Sequence, residues 1–340
     1  DMGTHVPMVG AGDGYAGAAG THVFSSNGDV SGEVYNYNVC TFNHVPTYGD
    51  YFNCDRQWTV ANGLEDVAFA GTTVKIGFMG DITSPAIADL WASFAVSYSI
   101  AETLANHIAY NQGVQFEFIP ADSACGDASI VAASAQALVS AGVWGVVGAA
   151  CSGASTGANA ILSAAGIPQV SYASTSPALS DATLHPDFFR VVPSDALQGQ
   201  AAADMIMASG VSNTAVVHMT NSYGAGLADA VALNLGEDNV CLQAGYEETA
   251  TDFQGAVQAV MDAGCDSVFL GSYSADGAMI VETMAVMGAT IPIFSADGMA
   301  GEAALADYTN PAAANGIEVT RPRAAAAGAG VFAAACADDS

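Results

Sequence analysis

Cations are nearly missing from this sequence. Its 340 residues hold 5 Lys plus Arg against 34 Asp plus Glu, a formal net charge of −29, and the single lysine is Lys75. Phosphate backbones are bound through clustered Lys and Arg, so a nucleic-acid partner is excluded, and an anionic membrane surface would be repelled as well. Charge of either sign is absent from Ala128 to Ser180. Gly, Ser and Pro nevertheless interrupt that stretch before an apolar block of roughly 20 residues can build up, which excludes a membrane span. No basic n-region and apolar h-region follow Asp1, so the chain is read as a mature one. Also lacking are a CxxC pair, a zinc-type Cys and His spacing, a GxSxG elbow and a Walker loop. Neither a metal nor a cofactor is therefore expected, and the chain is read as not an enzyme. A formal GxGxxG at Gly12–Gly17 lacks a preceding strand and a following helix, and is read as a loop.

What is present is apolar and small. Hydrophobic residues make up 51% and charged ones 11%, and Ala, Val and Ile broken by Gly and Ser suit close-packed α/β layers. The length leaves room for two domains, each with its own core. Seven cysteines stand at 40, 54, 125, 151, 241, 265 and 336. Cys125 and Cys151 lie just past strand ends, Cys40 and Cys54 share one loop-rich segment, and Cys241 and Cys265 start or occupy adjacent strands. Disulfides Cys125–Cys151, Cys40–Cys54 and Cys241–Cys265, with Cys336 left over, would place the protein outside the cytoplasm; buried free thiols are the alternative.

Residues 1–70, rich in Gly, Tyr and Asn, read as an irregular or β-rich extension. From Thr73 the pattern becomes strand, helix, strand, helix, which means parallel sheets with helices on both faces. Strands are expected at 74–79, 114–119, 143–147, 167–172, 188–192, 214–219, 240–246, 267–270, 291–294 and 317–319. Ten strands imply two sheets. The joint falls at Pro193-Ser194-Asp195, giving a first lobe at 71–192, a second at 193–321, and a return to the first at 322–340, left incomplete at Ser340. In Gly145–Pro177 two strands end in turns of Ser, Thr and Gly, and the first of these turns opens a helix. Helix N-terminal amides and small hydroxyls suit a carboxylate or phosphate; the plainer alternative is that Ser152 and Thr175 only cap helices.

Residues 73–323 resemble the extracytoplasmic solute-binding proteins of branched-chain amino acid transporters, the leucine/isoleucine/valine-binding type. The likeness rests on the order and spacing of short pieces. They are Val74-Lys75-Ile76-Gly77, Ala124-Cys125-Gly126-Asp127, Gly145-Val146-Val147-Gly148 before Cys151-Ser152, Gly166-Ile167-Pro168 before Ser174-Thr175-Ser176-Pro177, Phe189-Arg190-Val191, Ser222-Tyr223-Gly224, Thr251-Asp252-Phe253, Gly271-Ser272-Tyr273, Asp297-Gly298 and Gly316–Thr320. The resemblance implies the type I periplasmic-binding fold, two Rossmann-like lobes closing by hinge motion on a ligand, and a Cys pair at 125 and 151. It implies that Ser152 and Thr175 hold a ligand α-carboxylate, that Ala173 adds backbone polar groups, that Asp297 takes the α-ammonium, and that Tyr223 and Tyr273 cover the ligand. Trp91 falls where relatives place an aromatic lid. Tyr223 and Tyr273 as core aromatics, and Asp297 as a turn residue, are the plainer alternatives.

Two functions remain open on the sequence. The first is capture of an amino acid or similar small zwitterion for the permease of an ABC transporter. The second is a structural subunit of an extracellular filament or surface assembly, self-associating through residues 1–70.

Overall fold

A computed structural model describes residues 71–84, 87–110, 114–301 and 303–322, and five strands before them. Those five are β1 (Gly14–Gly17), β2 (Gly20–Val23), β3 (Asn36–Val45), β4 (Gly49–Thr59) and β5 (Gly63–Asp66). They pair antiparallel as β1-β2 and β3-β4-β5, so the early segment is β-rich. The expected Cys40–Cys54 bridge, Cys336 and the return segment beyond Pro322 lie outside the described residues. The chain divides into two compact units, and Thr72–Ala327 make up the larger.

That larger unit contains two five-stranded parallel sheets. The first holds β6 (Thr72–Gly80), β7 (Val114–Asp122), β8 (Gly145–Val147), β9 (Gln169–Ser171) and β10 (Phe188–Arg190). The second holds β11 (Thr214–Met219), β12 (Val240–Tyr246), β13 (Ser267–Gly271), β14 (Ile293–Ser295) and β15 (Glu318–Val319). Seven helices connect them: α1 (Ala88–Tyr110), α2 (Ala128–Ala141), α3 (Ser152–Ala164), α4 (Asp195–Ala208), α5 (Ser222–Leu235), α6 (Gln254–Asp262) and α7 (Ser274–Met287). Both sheets run in one order, β7-β6-β8-β9-β10 and β12-β11-β13-β14-β15. This is the doubly wound 2-1-3-4-5 pattern, whose ligand crevice lies beyond the carboxyl ends of the strands, where the strand order reverses.

The apolar runs explain the layers. Every residue of β11 and β13 is buried, as fits strands covered on both faces. Phe269, Leu270 and Phe294 fill the second core, and Met79, Leu138, Val146 and Leu162 the first. Asp127 caps α2 by accepting from the Ser129 and Ile130 amides, Ser194 caps α4 from Ala196, and Asn221 caps α5 from Gly224.

The structure revises the sequence reading in places. Helix α3 begins at Ser152, inside the small-residue stretch read from the sequence as a turn, because Ser, Gly and Ala there have little apolar periodicity to mark a helix start. β9 is three residues long, shorter than its apolar run. Cys125–Cys151 and Cys241–Cys265 are both disulfides. The strands around the second pair are not neighbours, however: β11 lies between β12 and β13, and Cys241 Sγ lies 3.5 Å from the Asn213 carbonyl just before β11. The first bridge ties the loop after β7 to the start of α3 and to Ser152.

A bridge spanning 26 residues stabilises by about 3 kcal/mol through the unfolded chain. Replacing Cys125 and Cys151 with Ala should lower the unfolding free energy by about that amount in denaturant titrations. The turn carrying Ser152, which the bridge anchors, should loosen as well, seen as faster amide exchange there. The Cys241/Cys265 double variant should lose stability alone.

Candidate functional site

The carboxyl ends of the two sheets face a common cavity of about 270 Å³. From the first sheet come Ser152, at the end of the loop after β8, and Ala173 and Thr175, on the loop after β9. From the second come Tyr223 after β11, Tyr273 after β13 and Asp297 after β14. Six of the seven residues expected from the sequence are thus brought together. Trp91 is not among the lining residues. Gly80 leaves open the space that its ring takes, since a Cβ there would lie 2.2 Å from it, and Trp91 sits 6.1 Å from the Phe78 ring. Ile87 and Phe94, just before α1 and on it, line the cavity instead.

Hydroxyls fix the first-sheet half. Ser171 Oγ donates to the Ala149 carbonyl at 2.6 Å and accepts from the Ser174 amide at 2.8 Å. Ser174 Oγ donates to the Ala150 carbonyl at 2.9 Å, and Ser152 Oγ accepts from the Ser176 amide at 3.1 Å. From behind, the Arg190 guanidinium donates to the Ser176 carbonyl at 2.9 Å and to Ser180 Oγ. Two turns are locked together in this way. The Thr175 hydroxyl, 2% exposed, lines the cavity. It makes no short hydrogen bond among the described residues, yet it lies close enough to the Asp195 carboxyl to lower that group's pKa.

The second-sheet half is aromatic and acidic. The Tyr223 and Tyr273 rings stack at 5.1 Å and 2°. The Tyr223 hydroxyl donates to Asp297 Oδ1 at 2.9 Å and accepts from the Gly298 amide at 3.0 Å. Glycine is needed at 298, because a Cβ there would meet the Ser272 carbonyl at 2.5 Å and the Tyr223 hydroxyl at 2.8 Å. Gln198 Nε2 also donates to Asp297 Oδ1, at 2.9 Å. Burial raises the Asp297 pKa, against the lowering effect of these two donors. Burial likewise carries both tyrosines well above their usual range, so they stay neutral.

Sequence reasoning missed Asp195, Gln198 and the apolar wall of Ile87, Phe94, Tyr172, Val192 and Pro322. Asp195 opens α4, where an acidic residue complements the helix dipole, and that ordinary role hides it. It is fully buried and neither oxygen makes a short hydrogen bond among the described residues, although the nearby Thr175 hydroxyl and the Arg190 charge favour its ionised form; its amide donates to the Thr175 carbonyl at 2.9 Å. Burial, with the Asp297 carboxylate adding to it, lifts its pKa to about 7. Among the described residues no Lys or Arg lines the cavity. Asp81, Cys125 and Cys151 lie close enough to share a metal, but both sulfurs are spent in the bridge.

Two lobes of one topology with a cavity between their carboxyl edges define the type I periplasmic-binding fold. The model of the family "Receptor family ligand binding region" matches residues 95–299, and the chain belongs to that family. An amino acid binding protein of Pseudomonas aeruginosa is 28% identical over 211 residues, 61% of this chain and 56% of that protein. Human metabotropic glutamate receptor 8 is 44% identical over 82 residues, 24% of this chain and 9% of the receptor. The chain therefore spans little more than half of the first relative and a small part of the second. Among solved structures, the leucine binding protein LivK of Thermotoga maritima superposes with a TM-score of 0.64 at 20% identity, covering 70% of this chain and 67% of that one.

Tyr223→Phe removes a hydroxyl that both donates to Asp297 and accepts from Gly298. The variant should lose about 1–2 kcal/mol of stability in chemical unfolding at pH 7, and its loss should shrink at low pH, where Asp297 is protonated.

Proposed function

We propose that this chain captures an amino acid with an apolar side chain and that its two lobes close over it by hinge motion. The observation that carries the reading is the polarity of the cavity. The hydroxyls of Thr175 and Ser152 lie on one lobe, and the Asp297 carboxylate lies on the other. A zwitterion spans such a cavity with its carboxylate on the first lobe and its ammonium on Asp297, where exclusion of water strengthens both contacts. Tyr223 and Tyr273 form the cover. At about 270 Å³ the cavity lies just below the roughly 300–1,000 Å³ of sites for drug-sized molecules, which suits a ligand of amino-acid size.

The remaining wall selects the side chain. Ile87, Phe94, Tyr172, Val192 and Pro322 offer apolar surface, and no cation among the described residues could pair a second carboxylate. An acidic amino acid would bury that charge unpaired. The names of the relatives, amino acid binding and leucine binding, accord with this reading. The protein works outside the cytoplasm, where its disulfides persist, and hands its ligand to a membrane transporter; catalysis has no part in it.

Leucine, isoleucine, valine or phenylalanine should raise the melting temperature, as ligands binding only the folded state must, and glutamate should not. Asp297→Asn should abolish the shift; a panel in which no amino acid shifts the transition would overturn the reading. Acidity supplies a second check. Asp195, with a pKa near 7 in the fold against 3.9 in a free chain, stabilises the empty protein only while protonated. That contribution is complete below about pH 4 and is lost as pH rises through 7. Ligand affinity should move oppositely, rising from pH 5 to 8 as a cation favours the ionised pair. Calorimetry and melting curves across that range should show the two trends crossing, and Asp195→Asn should flatten both.

A further inference from the structure

Gln198 is 7% exposed and sits in the second turn of α4, just after the chain has passed from the first lobe to the second. Its amide nitrogen lies within hydrogen-bond distance of three acceptors: Asp297 Oδ1 at 2.9 Å, the Thr320 carbonyl at 3.1 Å and Thr320 Oγ1 at 3.3 Å. Two N–H bonds cannot satisfy three acceptors fully. The carbonyl end, Oε1, is buried with no partner among the described residues. Thr320 belongs to the segment that leaves the second sheet after β15, and its amide donates to the Ser295 carbonyl at 3.1 Å. Gln198 also lines a small recess with Pro193, which precedes α4, and with Thr320, Arg321 and Pro322 of the segment after β15. One side chain therefore meets the segment that enters the second lobe, the segment that leaves its sheet and the cavity carboxylate, while it does not itself line the cavity.

We infer that Gln198 is a positioning residue that couples charge at Asp297 to the geometry of the crossover at Thr320, and so couples ligand binding to lobe closure. The inference rests on the ligand reading given above. With the cavity empty, the ionised Asp297 competes with Thr320 for the amide, since a charged acceptor takes the stronger bond. A ligand ammonium neutralises Asp297 and weakens that claim, and the amide turns to Thr320, tightening the return crossover against α4. By reciprocity, a crossover held closed by other means would raise ligand affinity by the same factor.

The other charged or titratable groups around this amide are Asp195 on its own helix, Tyr223 on α5 and Arg321 in the recess. Only Asp297 both bonds to the amide and lines the cavity. Gln198 is also one of the two donors that keep the Asp297 pKa down. Gln198→Met preserves length and volume while removing both polar ends, so Asp297 should hold its proton to higher pH in that variant.

The test uses the full chain and leucine as the probe. Affinity is measured by calorimetry at pH 6 and pH 8, and closure by the distance between spin labels on exposed Leu184 in the first lobe and Val286 in the second, both replaced by Cys. Wild type should bind and shorten the distance. Gln198→Met should bind about tenfold more weakly at pH 8, as expected for losing one hydrogen bond to a charged group. Its deficit should be larger at pH 6, and it should remain partly open at saturating leucine. Tyr223→Phe, which also weakens Asp297 but touches neither crossover, should close fully once saturated. Should Gln198→Met fail to fold, Thr320→Val removes the acceptor side and should again bind leucine yet close incompletely. Full closure of either saturated variant would overturn the coupling while leaving the ligand reading intact. If wild type binds none of leucine, isoleucine, valine and phenylalanine, both are overturned; if it binds another of these but not leucine, the same test is run with that amino acid.

Discussion

A carboxylate placed in a cavity wall must be balanced by something, and this chain has almost no cations to spare. Two of them are committed elsewhere: Lys75 donates to the Ala141 carbonyl at 3.3 Å, and Arg190 braces the turn behind Ser174 and Ser176. Asp297 is held instead by neutral donors, the Tyr223 hydroxyl and the Gln198 amide, both on Oδ1. Neutral donors orient a carboxylate without cancelling its charge. That leaves a negative group facing the cavity with no cation among the described lining residues, beside the buried Asp195, whose own charge Arg190 partly offsets; the proposed ammonium site rests on this arrangement.

Topology lets one architecture present two chemistries. Because both sheets share the 2-1-3-4-5 order, corresponding loops meet across the cavity. The loop after the fourth strand gives Thr175 in one lobe and Asp297 in the other, and the loop after the third gives Ser152 and Tyr273. The first lobe's loops are small and hydroxyl-rich, so their backbones pack tightly and present the Ser152 and Thr175 hydroxyls to the cavity. The second lobe's loops carry rings and a carboxylate. Polarity across the cavity follows from this difference in loop composition, while the helices and strands behind the loops are interchangeable in kind.

Much of this was legible in the sequence. β11 and β12 occupy the expected spans, 214–219 and 240–246, because apolar runs that begin just after Asn213 and Asn239 leave little freedom. The hydroxyl-rich turns pointed to Ser152 and Thr175 unaided, whereas Tyr223, Tyr273 and Asp297 came from the resemblance, since nothing local distinguishes them from core rings or a turn residue. Trp91 was misplaced because its slot depends on Gly80, a contact between a strand and a helix. Asp195 and Gln198 stayed hidden for a related reason. In sequence they are an acid at a helix start and a polar helical residue, and only the fold brings the segment at Thr320 and the loop at Asp297 to them.

The central claim is that the cavity is built to hold a zwitterion end to end between its lobes. A crystal structure of the full chain grown with leucine tests it most directly. The account predicts the leucine carboxylate on the Thr175 hydroxyl and Ser152, its ammonium on Asp297, and its side chain against Phe94 and Tyr172. A leucine bound in the reverse sense, or a cavity holding only water at saturating leucine, would contradict it.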